Sequence, residues 1–348
     1  EKMKGLLAVV LVAALLFLCG QGPASDEKDT EGVPREVIRA VRAGLHFLKR
    51  MQNADGSFGN NYLLAGSSLA GLAFLGFGST YTRGPYAPQI QKLVRYILST
   101  QDEYGFFDDN QCMMHGHGYA TLFLAMVYGS TPPSMHAKIK KALKKAVRVI
   151  CESQTVDGGW GYYPRHTGGW GGDEGSVTVT QVQALRAARD AGFEVPDRVI
   201  KRGISYIRHS TTRQGCRYTI RGGGGGTTTL TAAAAAVLNA YGLYDPSECK
   251  QLRWALDLLY KRMHARVQSG GAAMDAIEWT WYGNLYAAQA CWQAGGKYWE
   301  LYQPSTYRQL LRWQASDGSW RTRASYGLAF STAIACLILE LPMGYLPL

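Results

Sequence analysis

Four groups of polar residues stand just before apolar stretches of the chain, and their types could support acid–base chemistry or hold a ligand. They are His115 with His117, Asp173 with Glu174, the glycines and threonines from Gly222 to Thr231, and Asp275 with Glu278. A histidine or a carboxylic acid can exchange a proton near neutral pH when its surroundings adjust its pKa. The candidate catalytic residues are therefore His117, Asp173, Glu174, Asp275 and Glu278.

Each candidate also has a structural interpretation. His117 lies between two glycines, which would let a ligand approach the imidazole, but a histidine could equally fill or cap the start of a helix. Asp173 and Glu174 precede a predicted helix, where acidic residues cap free amides and offset the helix dipole. A metal held by His115, His117 and a carboxylate is an alternative, although we expect neither a metal nor a cofactor.

Aromatic residues follow the last of these groups. Trp279, Trp281, Tyr282 and Tyr286 could line an apolar chamber that accepts a lipid or a sugar ring. Core packing would account for the same four residues. Their spacing does not choose between a ligand-binding chamber and a packed core.

The elements that must position these residues form a repeat of roughly 50 residues. Each unit begins with an amphipathic helix, followed by a glutamine and a glycine–aromatic turn at the spacing Q-x-x-x-G-x-[FW], and ends with a helix that is apolar nearly all round. The turn occurs four times: Gln52, Gly56 and Phe58; Gln101, Gly105 and Phe107; Gln154, Gly158 and Trp160; Gln314, Gly318 and Trp320.

Six such helix pairs fit between residues 35 and 348, the last beginning near Ser305, and the fourth and fifth lack the turn signature. A helix that is apolar on every side must be surrounded by protein, whereas an amphipathic helix keeps one wet face. The alternation therefore predicts an inner ring of helices inside an outer ring, an all-α (α/α)6 toroid. All inner helices would begin at the same end of the ring, so the candidate residues would share one mouth.

The first residues of the chain have the pattern of an export signal. Two lysines precede the apolar run Leu6–Leu18, and small residues follow up to Ala24. The run is shorter than the roughly 20 residues that cross a bilayer as a helix. We predict a signal peptide over 1–24, cleaved near Ala24, a short linker over 25–34 and one toroid domain over 35–348. The protein would be exported to the periplasm or cell envelope; a lipid anchor at Cys19 is the alternative.

Charge and cysteine content narrow the range of partners. The formal net charge is +11 at pH 7, and much of the excess lies between Lys138 and Arg148 on one predicted outer helix. Such a face is either simply solvated or attracted to a membrane surface or another anionic partner. No nucleic-acid-binding signature accompanies the charge. Six cysteines follow the signal, too far apart in sequence for a zinc ribbon or a C-x-x-C site.

The repeated turns resemble the QW motifs of squalene–hopene and oxidosqualene cyclases, which belong to the terpenoid cyclase and protein prenyltransferase superfamily. The segments 116–121, 286–290 and 341–347 are similar to exported bacterial prenyltransferase and squalene-oxidase repeat proteins of planctomycete type. The resemblance implies a squalene cyclase-like toroid in which the turn side chains tie each outer helix to the next pair. It assigns no chemistry to those positions.

The catalytic signatures of that superfamily are absent from the sequence. Class II cyclases protonate an alkene with the acid of a D-x-D-D motif, and class I synthases hold magnesium with D-D-x-x-D. Asp108-Asp109-Asn110 lacks the third carboxylate, and no cysteine after the signal has the aspartate two residues earlier that the prenyltransferase zinc site requires.

The sequence therefore favours a protein that binds a hydrophobic isoprenoid or lipid ligand, or a protein partner, in its central cavity without the known cyclisation chemistry. Two enzymatic alternatives stay open. One is a terpenoid- or lipid-modifying enzyme with a non-standard acid, which needs several of the candidate carboxylates gathered in an apolar pocket. The other is a carbohydrate-active toroid, which needs two carboxylates facing a glycan.

Overall fold

The computed structural model describes residues 32–168, 172–222, 225–242, 249–322, 325–344 and 346. The predicted signal peptide and most of the predicted linker lie outside these residues. The described chain forms twelve α-helices in consecutive pairs. The pairs are α1 (Arg35–Met51) and α2 (Leu63–Gly76), α3 (Ala87–Ser99) and α4 (Met113–Tyr128), α5 (Pro133–Glu152) and α6 (Gly175–Asp190), α7 (Asp197–Ser210) and α8 (Thr228–Ala240), α9 (Lys250–Gln268) and α10 (Thr280–Ala294), and α11 (Gly296–Trp313) and α12 (Gly327–Glu340).

Short elements join some of these helices. A two-stranded antiparallel hairpin, β1 (Thr211–Thr212) and β2 (Gly215–Cys216), follows α7. Single 3-10 turns occupy Arg165–Thr167, Ala273–Ala276 and Leu341–Met343. None of the helices in the described ranges combines the length and the apolar character needed to span a bilayer. The six cysteines after the predicted signal are all free thiols.

The two kinds of helix differ in how they are buried. The odd-numbered helices bury one face, as α1 does with Val37, Val41, Leu45 and Leu48. The even-numbered helices are buried nearly all round, and α2 is buried at every position from Leu64 to Gly76. Each even-numbered helix packs against the next, from α2 to α12, and α12 packs back against α2. The described residues therefore form a closed inner ring within an outer ring, and the predicted (α/α)6 toroid is confirmed.

The last outer helix begins earlier than the sequence pattern predicted. The repeat pattern places its start near Ser305. The helix instead begins at Gly296 and continues through Pro304. The Ser305 hydroxyl donates to the carbonyls of Leu301 and Tyr302 at 3.4 Å each.

The four glutamine turns make the same contacts. The Nε2 group of each glutamine donates one hydrogen bond to the carbonyl of its own turn glycine, at 2.9 to 3.0 Å. It donates a second to the next outer helix: Gln52 to Gln89, Gln101 to Ala142, Gln154 to Val199 and Gln314 to Ala40, at 2.8 to 3.0 Å. The last of these bonds joins the sixth unit to the first.

The turn glycines are required for two separate reasons. Gly56, Gly105, Gly158 and Gly318 have φ values between +92° and +108°, a region that favours glycine. A Cβ atom at any of them would also overlap the next outer helix, which passes directly against the turn. The aromatic residue two positions later is buried in every case. These turns therefore hold neighbouring pairs together.

Candidate functional site

The ring has two unlike ends. The inner helices all begin at one end, which we call the N-terminal mouth, and all finish at the other, the C-terminal mouth. Contacts across the first end join the start of α6 to α4 and α10, through His115 and Tyr282. At the C-terminal mouth, the ends of α2, α4, α6 and α8 meet around one cavity. The predicted site residues lie near the first mouth.

His115 is the centre of a polar cluster at the N-terminal mouth. Its Nε2 atom lies 3.1 Å from the Ser176 hydroxyl oxygen and 3.6 Å from Glu174 Oε1. Its Nδ1 atom lies 3.2 Å from Thr180 Oγ1. The Thr180 hydroxyl donates to the carbonyl of Ser176, so it accepts a hydrogen bond from the Nδ1–H group of His115. His115, which the sequence placed in the same group as His117, is more exposed than Glu174, at 22% against 2%.

Glu174 caps helix α6 beneath this histidine. Its carboxylate accepts hydrogen bonds from the backbone N–H groups of Ser176 at 2.8 Å and Val177 at 3.0 Å, and from the Ser176 hydroxyl. Burial would raise the pKa of Glu174, but its bonds with His115 and Ser176 outweigh burial and lower it. Glu174 is therefore an ionised acceptor at neutral pH and is unsuited to protonating an alkene.

The other candidate carboxylates point elsewhere. Asp173 turns away from Glu174 and accepts a bond of 2.8 Å from the Thr155 hydroxyl. Asp275 caps a 3-10 turn through the Ala272 N–H at 3.0 Å and pairs with Arg266 at 3.5 Å. Glu278 is exposed and caps α8, accepting from Thr228 Oγ1 at 2.9 Å and Thr229 N–H at 3.0 Å. The structure thus does not gather these four carboxylates in one pocket.

The four aromatic candidates also separate. Trp279 is 67% exposed and immediately precedes α10 with φ +52°, whereas Trp281 is buried. The Tyr282 hydroxyl donates to the carbonyl of Ser176 at 3.2 Å. The Tyr286 hydroxyl lies 3.3 Å from that of Tyr119. Burial raises the pKa of Tyr286 and Tyr282 well above the usual range, so both stay neutral.

The contact between Tyr119 and Tyr286 crosses the ring axis. Tyr119 belongs to α4 and Tyr286 to α10, the second and fifth of six inner helices, which stand opposite each other in a closed ring. A second bridge, from Gln183 Nε2 on α6 to Gln289 Oε1 on α10 at 2.9 Å, lies further along the same helices. Hydrogen-bonded side chains therefore cross the middle of the ring at two levels.

His117 has a structural position in this architecture. Its Nδ1 atom accepts the backbone N–H of Phe107 at 3.0 Å, and its Nε2 lies 3.2 Å from the carbonyl of Ala146. The same turn amide is bound by a hydroxyl in four other units: Ser67, Thr178, Thr231 and Thr332. Burial lowers the pKa of His117 to about 4, so the ring is neutral. His115 and His117 face different partners, as expected for residues two apart on a helix.

Two substitutions test this structural role of His117. We expect His117→Thr to be more stable than His117→Val by about 1–3 kcal/mol, because only threonine can accept the buried Phe107 N–H. Threonine and valine have nearly the same shape, so the pair isolates the hydrogen bond. Urea unfolding followed by circular dichroism measures the difference. Equal stabilities of the two variants would contradict a structural role for the acceptor.

An apolar cavity lies at the C-terminal mouth, and none of the predicted site residues lines it. Its volume is about 590 Å³, it is partly open to solvent, and its walls are mainly apolar, with Leu75, Leu122 and Met126 among them. Arg186 and Asp190 supply its charged groups. Sequence reasoning missed this cavity. The signal that could have found it is the small residues near the ends of the inner helices, such as Ala125, Ala187 and Ala240.

Comparisons with known proteins extend to the fold. No protein-family model and no curated protein matches the sequence. Among solved structures, a variant of the type II terpene cyclase MstE from Scytonema, in complex with geranylgeranyl dihydroxybenzoate, matches with a TM-score of 0.62 and 13% identity over 89% of this chain and 98% of that one. A glycosidase variant matches with a TM-score of 0.56 and 12% identity, over 89% of this chain and 98% of that one.

A D-mannose isomerase matches with a TM-score of 0.61 and 13% identity, over 93% of this chain and 99% of that one. The three matches have different chemistries and one architecture. Because a fold hosts many functions, identities this low establish the architecture alone. The chain has the (α/α)6 toroid fold of type II terpene cyclases and of related glycosidase and sugar isomerase toroids.

Proposed function

We propose that this chain is an exported toroid protein that binds an apolar isoprenoid or lipid ligand in the cavity at its C-terminal mouth, without the known cyclisation chemistry. The observation that carries the proposal is the cavity itself, which is mainly apolar and has a volume of about 590 Å³. Pockets for drug-sized ligands typically span about 300–1,000 Å³ and combine apolar walls with a few polar groups. Export rests on the signal-like sequence of residues 1–24.

Two features argue against cyclisation of a long polyene. The tyrosine pair Tyr119 and Tyr286 bridges the ring axis, where such a substrate would have to fold. Glu174, the most deeply buried of the candidate carboxylates, is ionised through its bonds to His115 and Ser176. A carboxylate in that state accepts protons and does not supply one to an alkene.

The likeness to MstE supports the choice of an isoprenoid ligand. One MstE variant holds geranylgeranyl dihydroxybenzoate and another holds merosterolic acid A. A toroid of this architecture can therefore accommodate an isoprenoid chain. The basic face of α5, with Lys138, Lys140, Lys141 and Lys144 exposed, would bring the protein to an anionic membrane surface where such ligands are found.

A glycan ligand at the N-terminal mouth is the second candidate. Trp279 and Tyr218 expose large aromatic faces there, at 67% and 50%, and such faces can stack on a sugar ring. A glycosidase needs two carboxylates across the scissile bond. Glu174 faces this mouth, whereas Asp173 binds Thr155 on its other side. The geometry therefore favours sugar binding over glycoside hydrolysis for this candidate.

Filling the cavity tests the leading proposal. We expect Ala125→Phe to reduce binding of squalene and geranylgeraniol at least tenfold, because Ala125 lines the cavity and the larger side chain would occupy it. Ala265→Phe on the exposed face of α9 is the matched control. Calorimetric titration in mild detergent measures affinity, and mass spectrometry of lipid extracts identifies any ligand that co-purifies with each protein.

Three results would contradict the proposal. If the wild-type protein neither retains nor binds any of these apolar compounds, the proposed ligand class is wrong. If it converts squalene into cyclic products, the proposed absence of cyclisation is wrong. If Ala125→Phe binds these compounds as tightly as the wild type does, the ligand site lies outside this cavity.

A further inference from the structure

The charged groups of the C-terminal cavity form one pair with no excess charge. Arg186 and Asp190 lie one turn apart near the end of α6, with Arg186 Nε 3.6 Å from Asp190 Oδ2. Arg186 is 28% exposed and Asp190 57%. Among the described wall residues Arg186 is the only cation and Asp190 the only anion. A ligand group beside this pair therefore meets a hydrogen-bond donor, Arg186, next to an acceptor, Asp190.

Helix dipoles add negative potential to the same wall. The wall contains residues from the last turns of four inner helices: Leu75 of α2, Tyr128 of α4, Asp190 of α6 and Ala240 of α8. The end of a helix carries a partial negative charge of about half a unit. The outer helices begin at this end of the ring, but their first turns do not contribute to the described wall. The local field therefore disfavours an anionic group.

A buried hydroxyl stands in the same wall. Ser79 is almost fully buried, and its Oγ has no hydrogen-bond partner among the described residues. Gly84 packs against this serine so closely that a Cβ there would overlap its side chain. The oxygen is closed off from the cavity, so the polar groups that a ligand meets there are those of Arg186 and Asp190.

From these observations we propose that the polar end of the ligand is a neutral hydroxyl, so that the cavity takes a long-chain isoprenoid or fatty alcohol rather than a diphosphate or a carboxylic acid. A hydroxyl can accept from Arg186 and donate to Asp190 at once, and it brings no charge toward the helix ends. A diphosphate would be repelled by Asp190 and by the negative ends of four helices, and only Arg186 would attract it. This inference rests on the proposed ligand-binding function and specifies its ligand.

Three C15 probes that differ only in the polar end separate the possibilities: farnesene, farnesol and farnesyl diphosphate. With the full-length protein in mild detergent, we expect farnesol to bind about tenfold more tightly than farnesene, the size of effect expected for hydrogen bonds to charged groups. Farnesyl diphosphate should bind more weakly than farnesol. Calorimetric titration provides the three dissociation constants.

Variants of the charged pair sharpen the test. Arg186→Gln should remove most of the advantage of farnesol and leave farnesene binding unchanged. Asp190→Asn should strengthen binding of farnesyl diphosphate, because Arg186 then lacks its internal counter-charge. Arg189→Gln is the control, since Arg189 is exposed and lies 4.0 Å from Asp197. It should behave as wild type with all three probes.

The outcomes distinguish the two proposals. If farnesene and farnesol bind equally, or the diphosphate binds best, the hydroxyl assignment is wrong while the apolar site stands. If no probe binds to wild-type protein, the proposed function itself fails. Loss of the farnesol advantage in Arg189→Gln as well as in Arg186→Gln would show that the effect is not local to the cavity.

Discussion

Replacing Gly318 with alanine should lower the free energy of unfolding by about 3 kcal/mol, the sum of backbone strain and overpacking in a tight contact. Gly318 has φ +92°, and a Cβ there would overlap the carbonyl oxygen of Ala43 on α1. The turn would have to move away from α1 and break the bond from Gln314 to Ala40. For a domain of this size the loss corresponds to a melting temperature about 5 °C lower.

Gly270 provides a matched control for this substitution. Its φ is +84°, but no heavy atom lies within 4 Å of the position that a Cβ would take. Gly270→Ala therefore carries the backbone strain without the clash and should cost about 1 kcal/mol. Differential scanning calorimetry of both variants separates the two contributions. Equal losses would show that contact between the turn and α1 contributes nothing to stability.

Replacing Glu340 with methionine should raise the free energy of unfolding at pH 7 by about 3 kcal/mol, because an unpartnered acid leaves the core. Glu340 ends α12, is buried, and neither carboxylate oxygen has a hydrogen-bond partner among the described residues. Burial raises its pKa well above the usual 4.5. Tyr86, Tyr307 and Cys336 are close enough for its charge to raise their pKa values as well.

The same residue predicts a pH dependence with a definite sign. The unfolded chain releases the Glu340 proton near pH 4.5, whereas the folded protein keeps it to a higher pH. Between those values the folded state binds more protons, so each added pH unit costs the wild type about 1.4 kcal/mol of stability. Glu340→Met should be flat over the range in which the wild type declines. The control Glu300→Met, at an exposed position of α11, should keep the wild-type slope. If stability falls with pH equally in the wild type and in Glu340→Met, the prediction is wrong.

The ring could be predicted from the sequence because its signals are local and repeated. Burial of one face or of all faces follows from helical spacing, as in α1 and α2, and a fixed spacing defines the glutamine turns. The boundaries are less accurate: the last outer helix begins at Gly296 and not near Ser305. Packing of α12 against α2 followed from the need to cover the last apolar helix.

The functional residues could not be predicted to the same degree, because their roles depend on partners far away in the sequence. The spacing between each turn amide and the side chain that accepts it varies from 9 residues at Ser67 to 18 at Thr178, so no fixed pattern shows that His117 belongs to this set. Asp173 and Glu174 are adjacent in sequence, yet they bind Thr155 and His115 on opposite sides. The cavity depends on side-chain volumes where four helices end.

The joint between the sixth and first units has a consequence for kinetics. Gln314 and Ala40 are 274 residues apart, and unlike every other pair of neighbouring units theirs is not linked directly through the chain. Closing so long a loop carries the largest entropy cost in the molecule, so this joint should form last during folding. Contacts that form after the transition state control the unfolding rate. Opening of this joint therefore determines the unfolding rate of the ring. Hydrogen exchange should detect opening between the sixth and first units before opening between any other neighbouring units.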